Sequence, residues 1–136
     1  MEAGIRPIPN QMMGFPDEDF DSLKDNIRAW NRLGLNVKPF FATPYPGTEW
    51  YYTNKQRILE QYDGDLEAFL MDLGDATRVT AVISKKFNAV ELYGLRELMV
   101  LRDIGRIERY EKEWTRLHAA DPPPKPAPRL VLETTK

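Results

Sequence analysis

Few residues in this chain have the type and spacing that chemistry needs, and the densest group is the acidic run Asp17, Glu18 and Asp19. Adjacent carboxylates can work as a general acid and base, or can hold a divalent cation. This run also stands directly before an amphipathic stretch, where negative charge suits the positive end of a helix without any further role. The helix-start reading is the stronger one. Asp63, Gly64 and Asp65 begin like a calcium loop, but the later oxygen ligands and the closing glutamate do not follow at the required spacing. His118 is the single histidine, and it falls where a final helix would end. A cation there suits the helix dipole, and no base–nucleophile pair can be read around it. Cysteine is absent, which removes thiolate nucleophiles, disulfides and sulfur ligands for zinc or iron. What remains are two rigid turns rich in proline, glycine and aromatics, "MMGFPDEDFD" from Met12 and "ATPYPGTEWY" from Ala42.

The rest of the composition narrows the class. A chain of 136 residues has room for one modest core. Its 42% hydrophobic and 29% charged residues are ordinary for a globular protein. The net charge of −2 is made of interspersed signs, so no nucleic-acid footprint is expected. "MEAGIRPIPN" has no apolar run of signal-peptide length, and no stretch is long and apolar enough for a membrane helix. A cytoplasmic protein without membrane or nucleic-acid partners is the expectation. Lys85 and Lys86 read as a solvated loop, and Trp30, Trp50 and Trp114 as core or interface anchors, because no basic groove accompanies them.

The turns need elements to hold them. Ile8, Met12, Met13 and Phe15 suggest a short buried strand, limited at its start by Pro7 and Pro9 and ended by Gly14 and Pro16. Phe20, Leu23, Ile27, Trp30 and Leu33 then recur at helical steps, with Asp17 able to cap the helix and Gly34 to stop it. Val37, Phe40 and Phe41 give a second strand. Strand, helix and strand with short links form one βαβ unit, which makes the strands parallel and leaves their sheet without full cover. Beyond it, Thr48 caps a helix running to about Tyr62, and Leu66, Phe69, Leu70 and Leu73 mark a short helix ended by Gly74. Thr77–Ser84 is β-branched enough for a strand, though a connector docked in extended form fits nearly as well. Asn88 and Glu91 form a capping box before Leu92, Leu95, Leu98 and Met99. Ile104, Ile107, Tyr110, Trp114 and Leu117 mark a last helix over Asp103–His118, weakened at its first turn by Gly105. Five prolines between Pro122 and Pro128 predict an extended tail, whose "RLVLE" could pair with an open strand edge. The fold class expected is α/β and helix-rich, with one βαβ unit, about four further helices and at most one extra short strand.

Two turns at the same end of two parallel strands, separated by one capped helix, resemble the last third of the catalytic barrel of radical SAM enzymes. The likeness is greatest to those that carry a cobalamin-binding domain ahead of the barrel. It covers Gly4 to Tyr52, from "GFP" with its acids to "TPYPGT", and extends with less specificity through "DLEAFLMDLGDA" and "ELYGLRELM". The resemblance implies a partial parallel barrel over residues 1–52, a helical C-terminal extension over 53–119, and a Pro-rich tail over 120–136. It also implies that Gly14, Phe15 and Pro16 form one wall against the adenosyl part of S-adenosylmethionine, with Thr43, Pro44, Tyr45, Pro46 and Gly47 as the other. The bland alternative is that Pro44, Pro46 and Gly47 only shape a turn and Thr48 only caps a helix. For this chain by itself the bland alternative is favoured.

One departure from the family bears on function. Its chemistry needs three closely spaced cysteines around a [4Fe–4S] cluster, and this chain has none. It is also too short for four preceding strands, and Met1 followed by "EAGIRPIPN" reads as a start inside a strand–helix repeat. The expectation is therefore a C-terminal piece of a larger enzyme, inactive alone and with no cofactor of its own. S-adenosylmethionine, the cluster and, in the cobalamin-associated kind, cobalamin belong to the full-length parent. The competing class is a free-standing α-rich module acting through binding or self-association. Either way, open strand edges, or the missing N-terminal part of a barrel, lead to an expected homo-oligomer.

Overall fold

The computed structural model describes Gly4 and residues 10–119; Ile8 of the expected first strand, and the tail with its "RLVLE", lie outside the described residues. The chain is helix-rich, with a small parallel sheet. Its order is β1 (Met12–Met13), α1 (Phe20–Leu33), β2 (Phe40–Phe41), α2 (Glu49–Gln61), α3 (Leu66–Asp72), α4 (Ala89–Leu101) and α5 (Ile104–Ala119). Both strands are only two residues long, shorter than the apolar runs predict. Met12 pairs with Phe40 and Met13 with Phe41. Phe40 N–H donates to Gln11 O and Ala42 N–H to Met13 O, each at 2.8 Å.

The predicted helix α1 forms because its apolar stripe repeats at helical spacing, and Phe20, Leu23, Ile27 and Trp30 are buried. Leu33, placed on the same stripe by spacing, is 64% exposed, since the helix ends there and turns away through Gly34 in the left-handed region. The cap is Asp19 rather than Asp17. Its carboxylate accepts the Ser22 N–H, and the Ser22 hydroxyl accepts the Asp19 N–H, closing a reciprocal box. Asp17 instead lies outside the helix, paired with Lys85 at 2.8 Å.

Alternation on the strands sends Met13 and Phe41 inward and leaves Met12 and Phe40, 37% and 39% exposed, side by side on the other face. The main core joins Met13 and Phe41 to α1, and then to Phe87, Leu92, Leu95, Met99 and Ile107. Two of the later helices thus close over the βαβ unit. Burying each such side chain is worth about 1.5–3 kcal/mol, so this seam dominates the stability. Leu117, expected on the buried side of α5, is 52% exposed.

A second, smaller core gathers Tyr51, Ile58, Phe69 and Ala81 between α2, α3 and the segment 77–84. Only Phe69 of α3 is fully buried; Leu66 and Leu70 are 38% and 43% exposed. Thr77–Ser84 forms no strand. It is a docked strap whose backbone is satisfied by helix side chains. Gln61 accepts the Val82 N–H at 2.8 Å and donates its amide to Val82 O at 2.9 Å. Tyr93 accepts the Val79 N–H, and Arg96 donates to Thr77 O. The Tyr62 hydroxyl sits 2.7 Å from Thr80 O and 2.9 Å from an Asp72 oxygen, and burial holds its proton well above the usual phenol range. Just before the strap, Ala76 O accepts the Phe41 N–H at 2.8 Å, covering part of the outer edge of β2.

Candidate functional site

The parallel pairing brings both turns to the C-terminal end of the sheet, side by side. Gly14, Phe15 and Pro16 leave β1; Thr43 to Gly47 leave β2 two residues beyond Phe41. The turns are tied across the gap by Phe15, whose ring meets Trp50 of α2 edge-on at 5.3 Å. Trp50 is thus the anchor the sequence suggested, set against the first wall rather than in the deep core.

Each turn has its own internal fastening. On the second, Thr43 is buried and its hydroxyl donates to Phe41 O at 3.2 Å, and Pro44 is buried beside it. Tyr45 N–H donates to Thr43 O, and the Thr48 hydroxyl donates to Tyr45 O at 2.6 Å while accepting the Tyr51 N–H. Thr48 is the cap of α2, as its position predicts. Tyr45, Pro46 and Gly47 are exposed.

On the first turn Gly14 has φ +91, a conformation that side-chain-bearing residues adopt at a cost of about 1–3 kcal/mol. A Cβ there would only make ordinary contact with Leu92 at 3.9 Å, so the strain is in the backbone. Gly14→Ala is expected to lower the unfolding free energy by about 1–3 kcal/mol. Gly94→Ala, in the interior of α4 with open space around it, is expected to raise it by about 0.5–1 kcal/mol. Urea denaturation of the two variants checks both signs.

Glu18 is the residue that sequence reasoning placed in the wrong role. It does not lie along the helix start as a solvated charge. It is 7% exposed, and its carboxyl folds back to accept the Gly14 N–H at 2.6 Å. Burial pushes this carboxyl up to about 7 from the usual 4.5, with a smaller push from Asp19; the amides of Gly14 and Phe15 pull the other way. The only available signal was the loop distance of four residues from a glycine, which does not separate it from its two acidic neighbours. The turn is held from its other side by Lys85, whose N–H donates to Pro16 O at 3.0 Å.

Comparisons of the chain with protein-family models, curated proteins and solved structures gave no match. The site is therefore read from its own geometry.

The donor set does not fit an iron–sulfur cluster, because the chain has no thiolate to offer. An adenosyl group placed between the turns would meet a mixed surface. The walls are adjacent and aromatic, yet the Gly14 and Tyr45 amides and the Thr43 hydroxyl are already engaged within the chain. Among the described residues no cluster of three or more His, Asp or Glu side chains could hold a metal ion. Asp63 and Gly64 instead make the left-handed link between α2 and α3, and Asp65 caps α3 by accepting the Ala68 N–H. His118 stacks on Trp114 at 3.8 Å, and Trp114 donates to Glu91, which also closes the cap of α4. Lys86 is not simply solvated: its ammonium lies 4.8 Å from the Trp114 ring centre. No described helix is long and apolar enough to cross a membrane.

Proposed function

We propose that the chain is the C-terminal part of a radical SAM enzyme of the cobalamin-associated kind, supplying part of an adenosyl-binding rim and a helical cap. The observation that supports this reading is the adjacency of the two turns at one end of a parallel strand pair, with Phe15 and Trp50 joining them. Parallel α/β sheets bind ligands at that end. In this reading β1 and β2 belong to a partial barrel, and Met12 and Phe40 face its interior. Gly14 to Pro16 and Thr43 to Gly47 give shape and an apolar surface, while the cluster and its reductive chemistry lie in the parent protein. The chain contributes no step of that reaction alone. Calorimetry with S-adenosylmethionine tests it. Weak binding that weakens further in Tyr45→Ala, with the fold intact by circular dichroism, is the expected result. Binding indifferent to changes in both turns would overturn the assignment of the rim.

The second reading is a binding module without enzymatic activity, and the open pair Met12 and Phe40 favours it. Apolar side chains on an uncovered sheet face are cheapest when another surface covers them. In both readings the chain self-associates through this sheet. A monodisperse monomer at micromolar concentration in light scattering would count against that.

A further inference from the structure

Glu18 is the only acidic or basic side chain in the buried set among the described residues, and no cation pairs with it there. A buried, unpaired carboxylate is costly, so such a group either stays protonated or leaves the interior. Its place in the chain makes leaving easy. Glu18 lies just before the cap of α1, between the exposed Asp17 and Asp19, so a side-chain rotation reaches water without unpacking the helix.

Among the described residues the surrounding charges do not neutralise it. Lys85 is committed to Asp17, and Lys86 lies over the Phe20 and Trp114 rings. From α1, Asp19 accepts from Ser22 and opposes a second negative charge. From α4, Glu91 is engaged by Trp114 and by the Asn88 amide.

We infer that Glu18 is a proton-operated latch on the turn Gly14–Pro16. With its proton in place, the carboxyl lies under the turn and accepts the Gly14 N–H. When the proton passes to solvent, the carboxylate follows it into water, and the Gly14 amide and the turn are released. Lys85, still bonded to Pro16 O, limits how far the turn opens. The direction agrees with burial as the main influence on this carboxyl. The latch acts whether or not the turn binds an adenosyl group.

The test is a pH titration of the ¹⁵N-labelled full chain followed at individual amides. The Gly14 signal is expected to move with one midpoint near pH 7, and the movement is lost in Glu18→Gln, whose neutral amide can keep the bond. Asp17→Asn should leave the midpoint in place. A wild-type midpoint below about pH 5, or a titration that persists in Glu18→Gln, overturns the latch. If Glu18→Gln fails to fold, the wild-type Gly14 amide decides, because opening the latch removes its acceptor. Its exchange protection, corrected for intrinsic rate, should fall through the same midpoint, and constant protection overturns the proposal.

Discussion

Truncating Phe69 to alanine is expected to lower the unfolding free energy by about 3–5 kcal/mol, a large part of what a chain of this size has. Phe69 is fully buried at the centre of the smaller core. Its ring stacks on Tyr51 at 6.1 Å and meets Tyr62 edge-on at 5.5 Å. It is also the sole fully buried side chain of α3, a helix of 7 residues. So short a helix has no stability of its own and exists through packing. Losing the ring therefore removes both a filled volume and the reason for α3 to be helical. Ala81 of the strap then loses its partner as well. Met71→Ala, two residues along the same helix but 79% exposed, is expected to change stability by no more than about 0.5 kcal/mol. Urea unfolding of the pair checks the contrast. A cost below about 1 kcal/mol for Phe69→Ala would show that the small core does not hold the strap.

The second large effect is pH-dependent. The folded chain holds the Glu18 proton up to about pH 7, whereas the unfolded chain loses it near the usual 4.5. The folded state thus binds more protons in that window, and this contribution is fully present below pH 4.5 and lost as pH rises through 7. Its size is about 3 kcal/mol between the two limits. Other acids act in the opposite sense: Asp19 and Asp75 are lowered by their hydrogen bonds with Ser22 and Thr77, and lose their contributions as pH falls. The difference between wild type and Glu18→Gln isolates the one term. That difference should favour wild type less and less from pH 4.5 to 8, measured by denaturant unfolding at each pH. A flat difference would mean that Glu18 is exposed in solution.

The fold was legible in the residues alone where the cause was local. The Phe20–Trp30 stripe, Gly34, the Thr48 cap and the Asn88–Glu91 box each act within a few residues, and each forms as spaced. Both turns were legible too, because proline fixes its own φ and glycine permits the positive φ that a tight turn needs. The choice among Asp17, Glu18 and Asp19 was not legible. Three adjacent acids carry the same local signal, and only the path of the chain out of β1 sends one inward, one to the cap and one to Lys85. For a related reason the residues of Thr77–Ser84 alone allow either a strand or a docked connector, and the structure shows the connector. Its β-branched residues suit a strand, but the partners its backbone found were side chains of α2 and α4, brought close by packing.

By itself, then, the sequence determined a helix-rich chain with a βαβ start, the caps and breaks of its helices, and the absence of any thiolate. It also determined the two rigid turns as separate objects. That they stand side by side was decided by the parallel register of Met12 with Phe40 and Met13 with Phe41. The burial of Glu18 beneath one of them, and the packing of α4 and α5 with α1 and the strands in one core, were likewise decided by tertiary structure. The physical reason is the same in each case. Backbone angles and helix caps depend on neighbours in the chain, whereas burial and the proton affinity that follows from it depend on neighbours in space.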